Sequence, residues 1–351
     1  MALSPIIRIV FLCSLLQSCG STQPETPAGG PKWRGMTFAH EGYQGFNGYG
    51  GETVAPSLDS LASLNVNALA IVPYTFMPGP QGQGKLPIPD REGSETDAAV
   101  LHSVSEAHRR GWRVLLKPQI WIGGGHWPGD VDYTTEAEWA TFFTNYGEWI
   151  LHYADLAEAH DIEALCIGTE LVNTTLKQPD RWRSLIAQIR ARYSGTLTYA
   201  ANWGEEFENL TFWDALDVIG LNSYYPLSDK DRPTDAELLA GARRWVAMAD
   251  DISRKQGRPL WLTEVGYRSV ENAWVNPHAH TEGRARDPRC QERCFAALTQ
   301  AVEESERLEG MFVWKWPSYL GYDGGRWAQG MGFTVGGKPA AAVLGEFYRG
   351  W

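Results

Sequence analysis

Short apolar runs alternate along this chain with longer stretches of mixed polarity. Runs of strand length fall at 34–39 (RGMTFA), 66–72 (VNALAIV), 112–117 (WRVLLK), 162–168 (IEALCIG), 196–201 (TLTYAA), 216–221 (ALDVIG), 259–263 (PLWLT) and 310–314 (GMFVW). Between and after them lie helix-like segments at 53–64, 95–110, 135–160, 179–193, 205–213, 234–257, 287–308 and 339–348. Start and stop residues support several of these. Ser94 and Asp97 frame a capping-box-like start, and Gly111 closes that helix. Thr234 is followed three residues later by Glu237, and Gly257 with Pro259 ends that segment. Strands alternating with helices build parallel βαβ units. Eight such units predict a single-domain α/β fold, a (β/α)8 TIM barrel, over residues 33–351. The alternative is an open doubly wound sheet. It lacks support, because no G-x-G-x-x-G follows the first strand and no phosphate-binding loop is present.

The first 32 residues do not fit this alternation. Arg8 precedes an apolar stretch, Ile9–Leu16, that is too short to span a bilayer. Leu16-Gln17-Ser18-Cys19 resembles a bacterial lipoprotein box, so residues 1–19 are expected to be an export signal with lipidation on Cys19. An ordinary signal peptide cleaved nearby is the alternative. Residues 20–32 then read as a flexible tether rich in Gly, Pro, Ser and Thr. The expectation is an exported bacterial lipoprotein of the outer membrane, on its periplasmic face or at the cell surface. Only this lipid anchor would touch the membrane.

Composition narrows the partners. The net charge of −11 argues against nucleic acid. Sixteen tryptophans are more than a globular core usually needs. Flat rings stack well on sugar faces, although most must still be core residues. Of the five cysteines, Cys13 leaves with the signal and Cys166 sits in an apolar strand as an inert thiol. Cys290 and Cys294 stand one helical turn apart, a spacing that leaves a disulfide open. A zinc site there would need two more ligands, and the nearby His278 and His280 read better as solvated loop residues. No metal and no cofactor is expected, and the protein is expected to be a monomer.

In such a barrel, functional side chains lie at the C-terminal ends of the strands. Read in turn, those ends offer His40 and Glu41; Tyr74; Lys117, Gln119 and Trp121; Thr169 and Glu170; Asn202 and Trp203; Asn222, Tyr224 and Tyr225; Glu264; and Trp314, Lys315 and Trp316. The strand bodies are apolar and the ends are polar or aromatic throughout. Glu170 closes the fourth strand and Glu264 the seventh, so both can reach one cleft. Two carboxylates across a sugar-sized cleft can cleave a glycosidic bond, one as proton donor and the other as nucleophile. Taken alone, each glutamate would more often be a cap or ion-pair residue, and the pairing reverses that reading. Lys117 and His40 are open between holding substrate and positioning a carboxylate. Trp121, Trp127, Trp203 and Trp327 are candidate sugar platforms. Trp314 and Trp316, separated by one residue, are expected on one side of their strand, with at least one facing the lumen.

At these residues the chain resembles a clan A retaining glycoside hydrolase, and more narrowly glycoside hydrolase family 113, a β-mannanase family. The resemblance rests on IGTEL around Glu170, GLNSYYP around Tyr224, WLTEVGY around Glu264 and FVWKW around Trp314 and Trp316. It covers the chain from about Trp33 onwards. It implies Glu170 as acid/base, Glu264 as nucleophile, Tyr224 donating a hydrogen bond to Glu264, and a strand-eight tryptophan beneath the sugar. It also implies a β-1,4-mannan or related β-linked glycan as substrate, cleaved by double displacement. One departure matters. Many clan A enzymes carry Asn before the acid/base, and here Thr169 stands there, leaving Asn202 or Asn222 to reach the sugar 2-hydroxyl. Two alternatives stand beside this: a retaining hydrolase of another β-linked glycan, and a non-catalytic carbohydrate-binding lipoprotein.

Overall fold

The computed structural model describes Met1 and residues 31–41, 47–281, 283–322 and 330–351. Cys13, Cys19, most of the expected tether and Trp327 lie outside the described residues. Residues Lys32–Trp351 form one compact unit.

Ten strands occur among the described residues: β1 (Trp33–Ala39), β2 (Ala68–Ile71), β3 (Tyr74–Met77), β4 (Arg113–Leu116), β5 (Gln119–Ile122), β6 (Ala164–Thr169), β7 (Thr196–Asn202), β8 (Val218–Ser223), β9 (Leu260–Val265) and β10 (Leu308–Pro317). Eight of them close into a parallel barrel in the order β1-β10-β9-β8-β7-β6-β4-β2. This is the (β/α)8 barrel expected from the alternation, and all eight apolar runs supply a barrel strand. Inside, Trp33, Trp261 and Phe312 fill the lumen with Ala68, Ala70, Leu115, Ala164, Cys166 and Ala200. The Trp33 and Trp261 rings lie 4.6 Å apart. Trp33, Ala68, Ala164 and Trp261 occupy the first two positions of their strands, so they plug the N-terminal end of the barrel.

The helices include α1 (Val54–Ala62), α2 (Asp97–Arg109), α3 (Glu136–Ala159), α4 (Val172–Lys177), α5 (Pro179–Arg190), α6 (Glu205–Asn209), α7 (Asp235–Gln256), α8 (Pro288–Glu303) and α9 (Pro339–Gly350). Thr234 and Glu237 form the expected capping box, and Gly257 ends α7 in the left-handed region at φ 66°. The start of α2 differs from expectation. Thr96, not Ser94, is its cap and accepts from the Ala99 N–H.

Two features were not foreseen. Beyond β2 and β4 the chain passes Pro73 and Pro118 and continues as β3 and β5, which pair with each other in a small parallel sheet. A proline lacks the N–H that a ladder needs, so it ends one strand and lets the next start in a new direction. The segment VNTTLK forms α4 directly after Glu170, although Asn and Thr are weak helix formers.

Cys290 and Cys294 are free thiols, so the disulfide left open by their spacing does not form. Both sit on one continuous helix, and the Cys290 Sγ turns back to the capping Asp287 carboxylate at 3.2 Å. Cys166 is fully buried, as expected, with its Sγ 3.2 Å from the Gly168 carbonyl.

Candidate active site

Register on adjacent strands brings the polar residues together. Asn202 of β7 pairs with Asn222 of β8, and Asn222 pairs with Glu264 of β9. At the open end they meet a cavity of about 530 Å³ lined by Trp127, Glu170, Asn202, Trp203, Tyr224, Glu264, His278, Trp314 and Phe333. Glu170 and Glu264 therefore share one cavity, as their strand-end positions imply.

The two carboxylates are held differently. Glu264 Oε1 accepts from Lys117 Nζ at 2.5 Å and from Gln119 Nε2 at 3.0 Å, and its Oε2 accepts from Tyr224 Oη at 3.0 Å. The Lys117 side chain has no solvent exposure, so this ion pair is little screened. Its Nζ also donates to the Thr263 carbonyl and Asn222 Oδ1. Among the described residues, Glu170 has no cationic partner of this kind. Its Oε1 accepts from Asn222 Nδ2 at 3.0 Å. Burial, with the Glu264 charge adding to it, pushes the Glu170 carboxyl up to about 8, against the Asn222 hydrogen bond and the Lys117 charge. One carboxylate is thus gripped by three donors, while burial favours the protonated form of the other. That is the division of labour an acid and a nucleophile need.

The backbone at Glu170 is unusual. Its φ is 51°, which non-glycine residues seldom adopt. The Glu170 N–H bonds the Ala200 carbonyl at 2.9 Å, and the Leu171 N–H bonds Tyr199 Oη at 2.7 Å. Two residues earlier, Gly168 faces a tight aromatic wall. A Cβ there would come within 2.7 Å of the Tyr199 ring, 2.9 Å of Trp182 and 2.9 Å of the Tyr146 hydroxyl.

Several expected substrate contacts are relocated. Asn222 is fully buried and holds Glu170 instead of facing the cavity, and Lys117, left open between two roles, is fully buried against Glu264. His40 does not line this cavity. Its Nε2 bonds the Gly93 carbonyl and its Nδ1 accepts from the Tyr49 N–H, so it ties the end of β1 to two loops. Trp316 is also displaced from the site. It is 4% exposed and donates its indole N–H to the carbonyl and hydroxyl of Ser57 under α1. The reason is a bulge in β10. Thr37 and Phe38 of β1 pair with Trp314 and Trp316, leaving Lys315 as an extra residue, and the Trp314–Lys315 peptide is cis. An extra residue shifts the alternation, so the two tryptophans face opposite ways and only Trp314 reaches the cavity. Trp121 is 63% exposed on β5, edge-on to Tyr74, outside the cavity lining. Asn202, Trp203, Tyr224 and Trp127 line it as expected.

His278, Phe333 and Glu206 were missed. His278 packs 5.7 Å from the Trp203 ring, and Phe333 packs 6.1 Å from Tyr224. Both come from loops, where no periodicity marks them. Glu206 stands in the first turn of α6, where an acid is ordinarily read as a helix-dipole partner. Among the described residues, no cluster of three metal-ligating side chains occurs.

The sequence model for Glycoside Hydrolase Family 113 matches residues 36–338. Among solved structures, the chain is similar to the family 113 β-mannanase AaManA from Alicyclobacillus acidocaldarius in complex with ManMIm. The two share 26% identity over 91% of this chain and 98% of that one, with a TM-score of 0.79. A family 113 β-1,4-mannanase solved as a complex matches at 22% identity over 92% of this chain and all of its own, also at TM-score 0.79. A β-glucuronidase from Ruminococcus gnavus shares the fold at 15% identity and TM-score 0.63, with 91% of this chain covering half of that one. Comparison with curated protein sequences found no match.

Proposed function

The chain belongs to glycoside hydrolase family 113 and is a glycoside hydrolase, and we propose that it cleaves β-1,4-mannan or a related β-mannosidic polysaccharide with retention. The observation that carries the mechanism is the unequal holding of two glutamates in one cavity. A Glu264 carboxylate oxygen attacks the anomeric carbon, and the bond from that carbon to the leaving oxygen breaks. Glu170 gives its proton to that oxygen. In the second step Glu170 takes a proton from water, the water oxygen attacks the anomeric carbon, and the Glu264 carboxylate leaves. Tyr224 and Gln119 orient Glu264 for the first attack, while Lys117 balances its charge.

Two features support a sugar in this cavity. Trp314, Trp203 and Trp127 present flat rings along its wall. Asn202 lines the cavity, whereas the amide of Asn222 is committed to Glu170, Lys117 and Thr263. Asn202 is therefore the residue we assign to the sugar 2-hydroxyl, in place of the asparagine that Thr169 replaces. The mannose assignment draws on the two β-mannanase neighbours. The N-terminal pattern ending at Cys19 supports export and lipid anchoring of the enzyme. Reducing-sugar release from mannan, glucomannan, cellulose, xylan and chitosan tests the substrate. Release from the mannans alone is the expected result, and release only from a mannose-free polymer would overturn it.

A further inference from the structure

Glu206 is a third carboxyl group close to the site, and the two-step chemistry does not use it. It is fully buried, and among the described residues no cation faces it. Its Oε1 accepts from Tyr199 Oη at 2.7 Å and from Thr175 Oγ1 at 2.7 Å, and its Oε2 accepts from the Asn202 N–H at 2.6 Å. Three donors thus converge on one carboxyl, two from β7 (Tyr199 and the terminal Asn202) and one from α4 (Thr175). A buried carboxyl without a cation is costly, so its retention needs a reason. Burial pushes it up to about 7.

The reason lies in what those donors hold. Tyr199 uses its hydroxyl twice, donating to Glu206 and accepting from the Leu171 N–H at 2.7 Å. Leu171 follows Glu170, whose backbone sits at φ 51°. Thr175 belongs to α4, the short helix that begins right after this pair. A left-handed conformation at a non-glycine residue persists only when its surroundings over-determine it. Here the surroundings are the Ala200 carbonyl before the Glu170 N–H, and the Glu206–Tyr199 relay behind Leu171. The same carboxyl fixes the backbone of Asn202, which lines the cavity beside Glu170 at the end of the adjacent strand.

We propose that Glu206 is the positioning residue of the proton donor, acting through Tyr199 on the Glu170–Leu171 backbone. This rests on Glu170 being the acid/base. A glutamine at 206 offers one acceptor and one donor where three donors converge, so at least one bond is lost. Tyr199→Phe keeps the ring and removes only the relay hydroxyl.

The test uses aryl β-glycosides of graded leaving-group acidity, with the sugar that the polymer panel selects. A misplaced proton donor matters only when the leaving group needs its proton. Glu206→Gln and Tyr199→Phe should each slow the poorest leaving group by about tenfold or more, and the most activated one by less than about threefold. The plot of log kcat/KM against leaving-group pKa should steepen. Equal losses along the series, or none, in Tyr199→Phe would overturn the proposal, whether or not Glu206→Gln folds. Glu170→Gln runs beside them. If it shows no leaving-group dependence, the acid/base assignment fails. If it shows the dependence and the other two do not, only the role of Glu206 fails.

Discussion

Asn222 Nδ2 lies 3.0 Å from Glu170 Oε1, and the same amide accepts from Lys117, the partner of Glu264. One fully buried asparagine therefore links the candidate catalytic pair, Glu170 directly and Glu264 through Lys117. Its donated bond favours the ionised form of Glu170 and opposes the upward push of burial.

Removing that bond has a definite sign. Asn222→Ala should raise the pKa of Glu170 further, so the basic limb of kcat/KM moves to higher pH. The limb of the unaltered enzyme is expected near pH 8, where Glu170 loses its proton. A pH–rate profile of both proteins checks this. A limb that moves down would mean that the bond does not govern Glu170.

The same carboxyl sets a stability trend. Its folded pKa stands well above the ordinary value of 4.5. Between those two values the folded state holds a proton that the unfolded state has lost. Its contribution therefore falls as pH rises from about 4.5 towards 8. Thermal melts of Glu170→Gln should show a flatter dependence over that window than the unaltered protein. Parallel curves would contradict the assignment.

Role separation is the most direct kinetic test. Glu264→Gln should be inactive on every substrate, because no glycosyl-enzyme can form. Glu170→Gln should lose about 10²–10⁴ on polymer yet still glycosylate Glu264 from an activated aryl glycoside. Its stalled intermediate should be released by azide as a β-glycosyl azide. An α-glycosyl azide, or rescue of neither variant, would defeat the retaining assignment.

Lys117 carries the opposite risk. Lys117→Met leaves Glu264 as a nearly buried charge without its counter-ion, a loss of roughly 3–5 kcal/mol in comparable buried pairs. Adding Glu264→Gln to that variant should restore much of the stability, although not the activity. Chemical denaturation of the single and double variants reads this coupling. Additive losses would show that the pair is not coupled.

Cys19→Ala should yield protein in the soluble fraction, whereas the unaltered chain should partition with membranes. Stable anchoring needs more than one acyl chain, and a mature lipoprotein carries more than one. Membrane association that persists in the variant would rule out this anchor.

The barrel was legible because parallel strands buried on both faces read as unbroken apolar runs, and all eight of them did. Glu170 and Glu264 were legible for the same reason, since an acid ending such a run has nowhere to go but the mouth. Trp316 was misplaced because a bulge at Lys315 has no signature in a run of large residues. Asn222 was put at the mouth end but turned to the substrate, and Lys117 was left open between substrate and carboxylate, because strand position does not say which neighbour a polar side chain finds first. The small β3–β5 sheet hid behind Pro73 and Pro118, which look like strand terminators and act here as corners. Glu206 looked like a surface acid, and only the fold brings Tyr199 and Thr175 to it.

Gly168 touches no substrate and carries no side chain, yet it restricts how this lineage can drift. An alanine there would have to displace Tyr199, Trp182 or Tyr146. Tyr199 is the one whose hydroxyl holds the Leu171 N–H. A single added methyl group would therefore be transmitted to the mount of Glu170. Substitutions at Trp127 or His278, which line the cavity from loops, would reshape its wall without reaching that mount.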